Sequence, residues 1–112
     1  MLPKKHRLPA FILPKVYRKG RTINGENLIL KSLFNHKDYS RFAIVISAKT
    51  IKKAYQRNLT KRRLSAIINQ YHDKIRKGED FVFIIKKETG FKELEEELKK
   101  IFDVENTFIK KH

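Results

Sequence analysis

The sequence predicts a mixed α+β domain, with helices packed on one sheet. Three observations lead there. Three short runs, residues 27–34, 41–47 and 81–87, are largely apolar, and the last two are rich in β-branched or aromatic residues, as strands are. Two longer segments repeat their apolar residues at helical spacing. The longer of these lies between the second and third runs, the order of a β-α-β unit. At 112 residues the chain has the length of one domain with its own core.

Residues 1–12 read as an extended arm tethered by Leu8, Phe11 and Ile12. Pro14 suits the first turn of a short helix over 14–19, with Gly20 just past its end. Leu13, Val16 and Tyr17 fall at i, i+3 and i+4 and share one face of it. The pair Asn24-Gly25 marks a turn before the first strand, 27–34. A polar loop over 35–40 leads to the second strand, 41–47. That strand and the third, 81–87, are nearly continuous in apolar residues, which suits strands covered on at least one face. Between them a helix is expected from about 52 to 75. Leu64, Ile67, Ile68, Tyr71 and Ile75 form its narrow core stripe, and Lys77-Gly78 closes it. The last helix is expected over about 90–102, with Thr89 as N-cap, Glu93 near its positive end and Lys99 and Lys100 near its negative end. Its buried face is Phe91, Leu94, Leu98, Ile101 and Phe102. The domain then spans 1–102, and 103–112 form a tail whose order the sequence leaves open.

Charge sets the function class. The chain has 27 Lys and Arg against 12 Asp and Glu, a net charge of +15. The distribution is uneven: residues 1–78 hold 20 of the cations and three acids, Glu26, Asp38 and Asp73, whereas 79–112 carry a net −2. Such a cationic region repels itself unless a polyanion relieves it, and nucleic acid is the partner that fits. A membrane partner is not expected, because no long amphipathic basic helix with exposed aromatics stands out and no apolar run approaches a span. With no cysteine, disulfides, thiolate metal sites and cysteine nucleophiles are excluded. The basic N-terminus is followed by no apolar signal-peptide segment, so a cytoplasmic location is expected.

The middle helix concentrates the charge. Six of residues 52–63 are Lys or Arg and none is acidic. At about 100° per residue, Asn58, Lys61, Arg62 and Ser65 lie beside the core stripe. Arg57 lies on the core meridian itself, two turns before Leu64. A charge there is sensible only if the helix projects beyond the core, which places its cations where they can meet phosphates. Arg63 points to the far side. No protein-based catalysis or metal site is expected. A nuclease centre needs clustered carboxylates or an acid–base pair, but the three acids of the basic region are far apart. His6, His36, His72 and His112 lack ligand spacing.

These residues carry a resemblance. Ser47-Ala48-Lys49, followed by Lys53-Ala54-Tyr55-Gln56-Arg57-Asn58-Leu59-Thr60-Lys61-Arg62-Arg63-Leu64, is similar to the signature of the bacterial ribonuclease P protein subunit. That signature is a strand ending in Ser-x-Lys and then a helix with Arg-Asn-Arg-x-Lys-Arg-x-Leu. Upstream, Arg7-Leu8 and Val16-Tyr17-Arg18-Lys19-Gly20-Arg21 resemble the family's opening; downstream, Gly78-Glu79-Asp80-Phe81 and the Glu-rich last helix fit as well. The likeness covers most of 7–102 in order. It departs at Leu59, where the third residue of the triplet is an arginine in the family, at Leu13 in place of a phenylalanine, and at Lys31 in place of a tyrosine.

The resemblance implies an α-β sandwich in the order αβββαβα, with the basic helix crossing left-handed between two parallel strands. General handedness statistics favour the opposite hand. It implies a subunit that binds the catalytic RNA of ribonuclease P and the 5′ leader of precursor tRNA, while the RNA cleaves with magnesium. One protein and one RNA per complex are expected, with no cofactor on the protein. The RNA-binding set expected is Lys49, Lys52, Lys53, Arg57, Asn58, Lys61, Arg62 and Arg63; the leader cleft is Leu13, Tyr17, Lys31 and Ser47. The alternatives are a ribosomal or other structural RNA-binding protein, and a self-contained nuclease.

Overall fold

Among the described residues the α-helices and strands follow one another as α1 (Leu13–Lys19), β1 (Arg21–Asn24), β2 (Leu28–Phe34), β3 (Arg41–Val45), α2 (Ala54–Tyr71), β4 (Glu79–Ile85) and α3 (Phe91–Val104). This is the order αβββαβα. The structure, a computed structural model, describes residues 4–71, 75 and 77–104, the last three by backbone alone. The side chain of Phe102, the residues His72 and His112, and the tail from 105 lie outside it.

The four strands form one sheet in the order β1-β2-β4-β3. β1 is polar and mostly exposed, so no apolar alternation announces it. The Asn24-Gly25 turn recruits it: Gly25 N–H donates to the Leu28 carbonyl at 2.8 Å, and the strand runs antiparallel to β2 with Arg21 opposite Ser32. β4 lies in the middle, antiparallel to β2 and parallel to β3. Its residues are buried except for the half-buried Ile84, as expected of a strand covered on both sides.

β4 begins two residues before its apolar run, because two acids are buried there with partners. Asp80 receives Nε and Nη2 of Arg41, each at 2.8 Å, and Nδ2 of Asn35 at 2.9 Å. Donating to the Asp80 carboxylate, whose charge adds to the effect, raises the pKa of Arg41. The Glu79 N–H donates to the Ser40 hydroxyl at 3.2 Å. β3, conversely, stops at Val45, because Ser47 opens a turn instead of extending the strand.

One face of the sheet carries Leu28, Leu30, Phe42, Phe81, Phe83 and Ile85 against Leu64, Ile67 and Ile68 of α2 and Leu94, Leu98 and Ile101 of α3. Phe42 and Phe81 stack with ring centroids 5.4 Å apart. Phe91 leaves this core and is exposed. α3 begins one residue later than expected: the Thr89 hydroxyl donates back to the Lys87 carbonyl, and Leu94 N–H reaches the Gly90 carbonyl. Thr89 is therefore not the N-cap. α2 begins at Ala54, two residues later than expected, and residues 72–74 and 76 of the expected helix region lie outside the described residues. Ile75 is buried beyond its end, and Gly78, with φ of 88°, belongs to the entry of β4, where its carbonyl accepts Asn35 N–H at 2.8 Å.

The other face carries Val82, packed by Leu8 and Val16, with Ile12, Leu13, Leu33, Ala43, Val45 and Ile84 partly buried around them. Gly20 joins α1 to β1 where a Cβ would press on the Val16 and Ser32 carbonyl oxygens, at 2.5 and 2.8 Å. Its backbone is extended, so close approach rather than a left-handed turn is the reason for glycine. The N-terminal arm is not simply extended: it makes 3-10 turns at Lys4–His6 and Ala10–Ile12. Leu8 N–H donates to the Phe42 carbonyl at 2.8 Å, but Phe11 is 80 % exposed and tethers nothing.

Candidate nucleic-acid interface

The first ten residues of α2, from Ala54 to Arg63, bury no side chain; the helix enters the core at Leu64. The basic half therefore projects, as the charge on the core meridian required. Lys61, Arg62, Arg63 and Asn58 are exposed along it, and Lys49, Lys52 and Lys53 are exposed in the loop that feeds it. No acid occupies the first turn, and two lysines precede it. Positive charge beside the positive end of a helix costs a few tenths of a kcal/mol, about the amount an anion there would return.

Arg57 differs from its neighbours. Its Nη1 donates to the Ile51 carbonyl at 2.8 Å and to the Lys52 carbonyl at 2.9 Å. It thus fastens the loop before α2, whose Ile51 side chain is buried in the main core. Thr60 is similarly occupied, its hydroxyl donating to the Gln56 carbonyl at 2.9 Å. The loop is further set by Ser47. The Ser47 carbonyl accepts the N–H groups of Thr50 and Ile51, and the two hydroxyls of Ser47 and Thr50 lie 2.9 Å apart.

The second surface lies on the sheet face under α1. At seven residues α1 packs on β2 and β4 but leaves Ile29, Lys31, Ala43, Val45 and Ile84 half-buried. Register puts Lys31 opposite Val82, and Val82 opposite Ala43, so these residues share that face. Tyr17 is 40 % exposed, because Val16 takes the core position of α1. Leu13 packs partly on Val82, and Lys31 Nζ donates to the Thr22 hydroxyl at 2.8 Å. Ser47 is exposed two residues past β3.

The structure thus gathers the eight basic-helix candidates at one projecting end, and places Leu13, Tyr17 and Lys31 about a half-covered sheet face. Sequence reasoning missed Ile29, Val45 and Ile84, whose alternation with core residues was hidden in continuous apolar runs. Among the described residues no group of three or more His, Asp or Glu stands where a metal ion would be held. No helix of the described residues is long and apolar enough to cross a membrane.

A sequence profile of the family described as Ribonuclease P matches residues 2–105. The chain belongs to the ribonuclease P protein family. Similar relatives include the ribonuclease P protein components of Pseudanabaena sp., 37 % identical over 106 residues with 90 % of this chain and 91 % of the relative covered, and of Synechococcus elongatus, 39 % identical over 90 residues with 76 % and 74 % covered. Among solved structures, the ribonuclease P protein of Thermotoga maritima superposes with a TM-score of 0.79 at 28 % identity, over 85 % of this chain and 95 % of that one. Family membership makes the chain the protein component of an endoribonuclease complex, and the reading as a ribosomal protein is not favoured.

Proposed function

We propose that this ribonuclease P protein binds the catalytic RNA through the projecting half of α2 and its feeding loop, and the 5′ leader of precursor tRNA over the half-covered face beside α1. The observation that carries this is the build of α2: ten residues with no core contribution, rich in cations and free of acids, on a chain of this family. Lys61, Arg62 and Lys53 act as phosphate contacts, and Asn58 offers an amide that both donates and accepts. Arg57 shapes the loop that presents Lys49, Lys52 and Lys53. On the sheet face Tyr17 offers a ring for a leader base and Lys31 a charge for its phosphate.

The protein's part is to bind and orient. Its cations neutralise phosphates that the RNA and the precursor bring together, and the apolar floor of Val45 and Ile84 suits a single strand better than a duplex. In this reading hydrolysis and its magnesium ions belong to the RNA, and one protein serves one RNA. The test is cleavage of precursor tRNA by a bacterial ribonuclease P RNA at low magnesium. Added protein should restore cleavage, and protein alone should leave the substrate intact. A chain that fails to restore it is no subunit of this enzyme.

A further inference from the structure

The face of α2 turned away from the core is not uniformly polar. At about 100° per residue, Tyr55, Leu59, Arg62 and Ala66 fall within about 60° of one another, opposite Leu64 and Ile68, so Arg62 lies on this far face and not beside the core stripe as expected. All four are exposed, Tyr55 by 63 % and Leu59 by 37 %. A lone exposed leucine needs no explanation, but a tyrosine and a leucine at i and i+4 in the most basic stretch of the chain form a patch. Lys53 Nζ lies 5.9 Å from the Tyr55 ring centroid, so a cation already accompanies the ring.

We propose that Tyr55, supported by Leu59, is a stacking platform for one unpaired base of the RNA that α2 binds. The inference rests on the reading that α2 meets RNA and adds what kind of RNA: a bulged or looped nucleotide, whose flanking phosphates fall to Lys53 and Arg62. Charge decides the occupant. A second copy of this chain would bring its own cations against the same stripe and be repelled. A duplex would supply phosphates but keep its base faces stacked inside. An extruded base supplies a flat apolar surface between two phosphates, which matches a ring between two cations.

The test measures binding of the full chain to a bacterial ribonuclease P RNA over a salt series. Tyr55→Ala should weaken binding roughly 5- to 150-fold, the range of one base–aromatic stack, without changing the slope of log affinity against log salt. Tyr55→Phe should bind like the parent. Tyr55→Trp supplies the one tryptophan of a chain that has none, and its emission should be quenched when the RNA is added. Equal melting temperatures for all variants show that the fold is kept. Unchanged affinity in Tyr55→Ala overturns the proposal. So does a loss accompanied by the shallower salt slope of a missing phosphate contact, and so does unquenched emission. A parent chain that dissociates into monomers only on Tyr55→Ala, with RNA affinity unchanged, makes the patch a self-contact instead. If the parent itself does not bind the RNA, the reading of α2 as an RNA helix fails and the platform falls with it. That outcome is distinct from a parent that binds and a variant that binds equally.

Discussion

Arg57 and Lys61 stand one turn apart on α2 and are held differently. Lys61 is exposed, so Lys61→Ala should leave the unfolding midpoint nearly unchanged while weakening RNA binding and reducing the salt slope by about 0.9. Arg57 bonds the Ile51 and Lys52 carbonyls, so Arg57→Ala should cost about 1–2 kcal/mol of stability in urea unfolding besides any loss of binding. Arg57→Lys should recover only part of it, since a point charge does not reproduce a planar fork. The position of Arg57 was legible as a sign that the helix projects. Its carbonyl partners were not, because they belong to an irregular loop that no periodicity encodes. On spacing alone Tyr17 reads as core, since Leu13, Val16 and Tyr17 share a face, and only the family resemblance puts it in a cleft; the structure gives the fully buried place to Val16. Tyr17→Ala should therefore melt within a few degrees of the parent while weakening binding of leader-bearing precursor tRNA by about 1–3 kcal/mol and sparing mature tRNA. A large drop in melting temperature with precursor discrimination intact would return Tyr17 to the core.

α2 divides into a projecting half and a packing half, and under the proposed function substitutions should divide the same way. Leu64→Ala removes a fully buried side chain from the main core and should cost about 2–5 kcal/mol, more than any single exposed cation of the first half. Thermal melts of Leu64→Ala and Arg62→Ala compare the two directly. The opposite sign of difference would mean that the basic half carries the fold. α3 contributes through one acid as well as its apolar face. Glu97 accepts the Asn27 and Leu28 N–H groups at 2.9 Å each, and Asn27 Nδ2 at 2.8 Å, strapping the β1–β2 turn to the helix. Glu97→Ala should cost about 2–3 kcal/mol, read by chemical unfolding. The longer elements were legible because apolar spacing persisted over several turns or a whole strand. β1 was not, because its four residues owe their strand state to the turn and to β2. The start of β4 was misplaced because Glu79 and Asp80 look like loop residues until Ser40, Asn35 and Arg41 are seen around them.

Across the whole molecule the excess of cations opposes folding. A net +15 on 112 residues, with the excess confined to the first 78, brings like charges closer in the folded state than in the unfolded chain. Salt screens that repulsion: the Debye length falls from about 30 Å at 0.01 M to about 10 Å at 0.1 M. Salt also weakens ion pairs such as Lys99–Glu95, but an exposed i, i+4 pair is worth only about 0.3–0.5 kcal/mol. The Arg41–Asp80 pair is largely shielded from solvent and loses less. Repulsion should therefore dominate, and the melting temperature should rise as sodium chloride is added from about 0.01 to 0.1 M, in the window where screening changes most. A melting temperature that falls over this range would mean that specific ion pairs, not net charge, set the electrostatic part of stability. The same excess makes RNA a stabilising ligand. Anything that binds only the folded chain adds RT ln(1 + [L]/Kd), about 2.7 kcal/mol at a hundredfold excess over Kd. At low salt the gain from ribonuclease P RNA should exceed that from chloride at equal charge concentration, and it should shrink as salt competes for the same cations. In the Lys61→Ala/Arg62→Ala double variant the response to chloride should persist while the response to RNA falls, which separates screening spread over the surface from phosphates held at one end of α2.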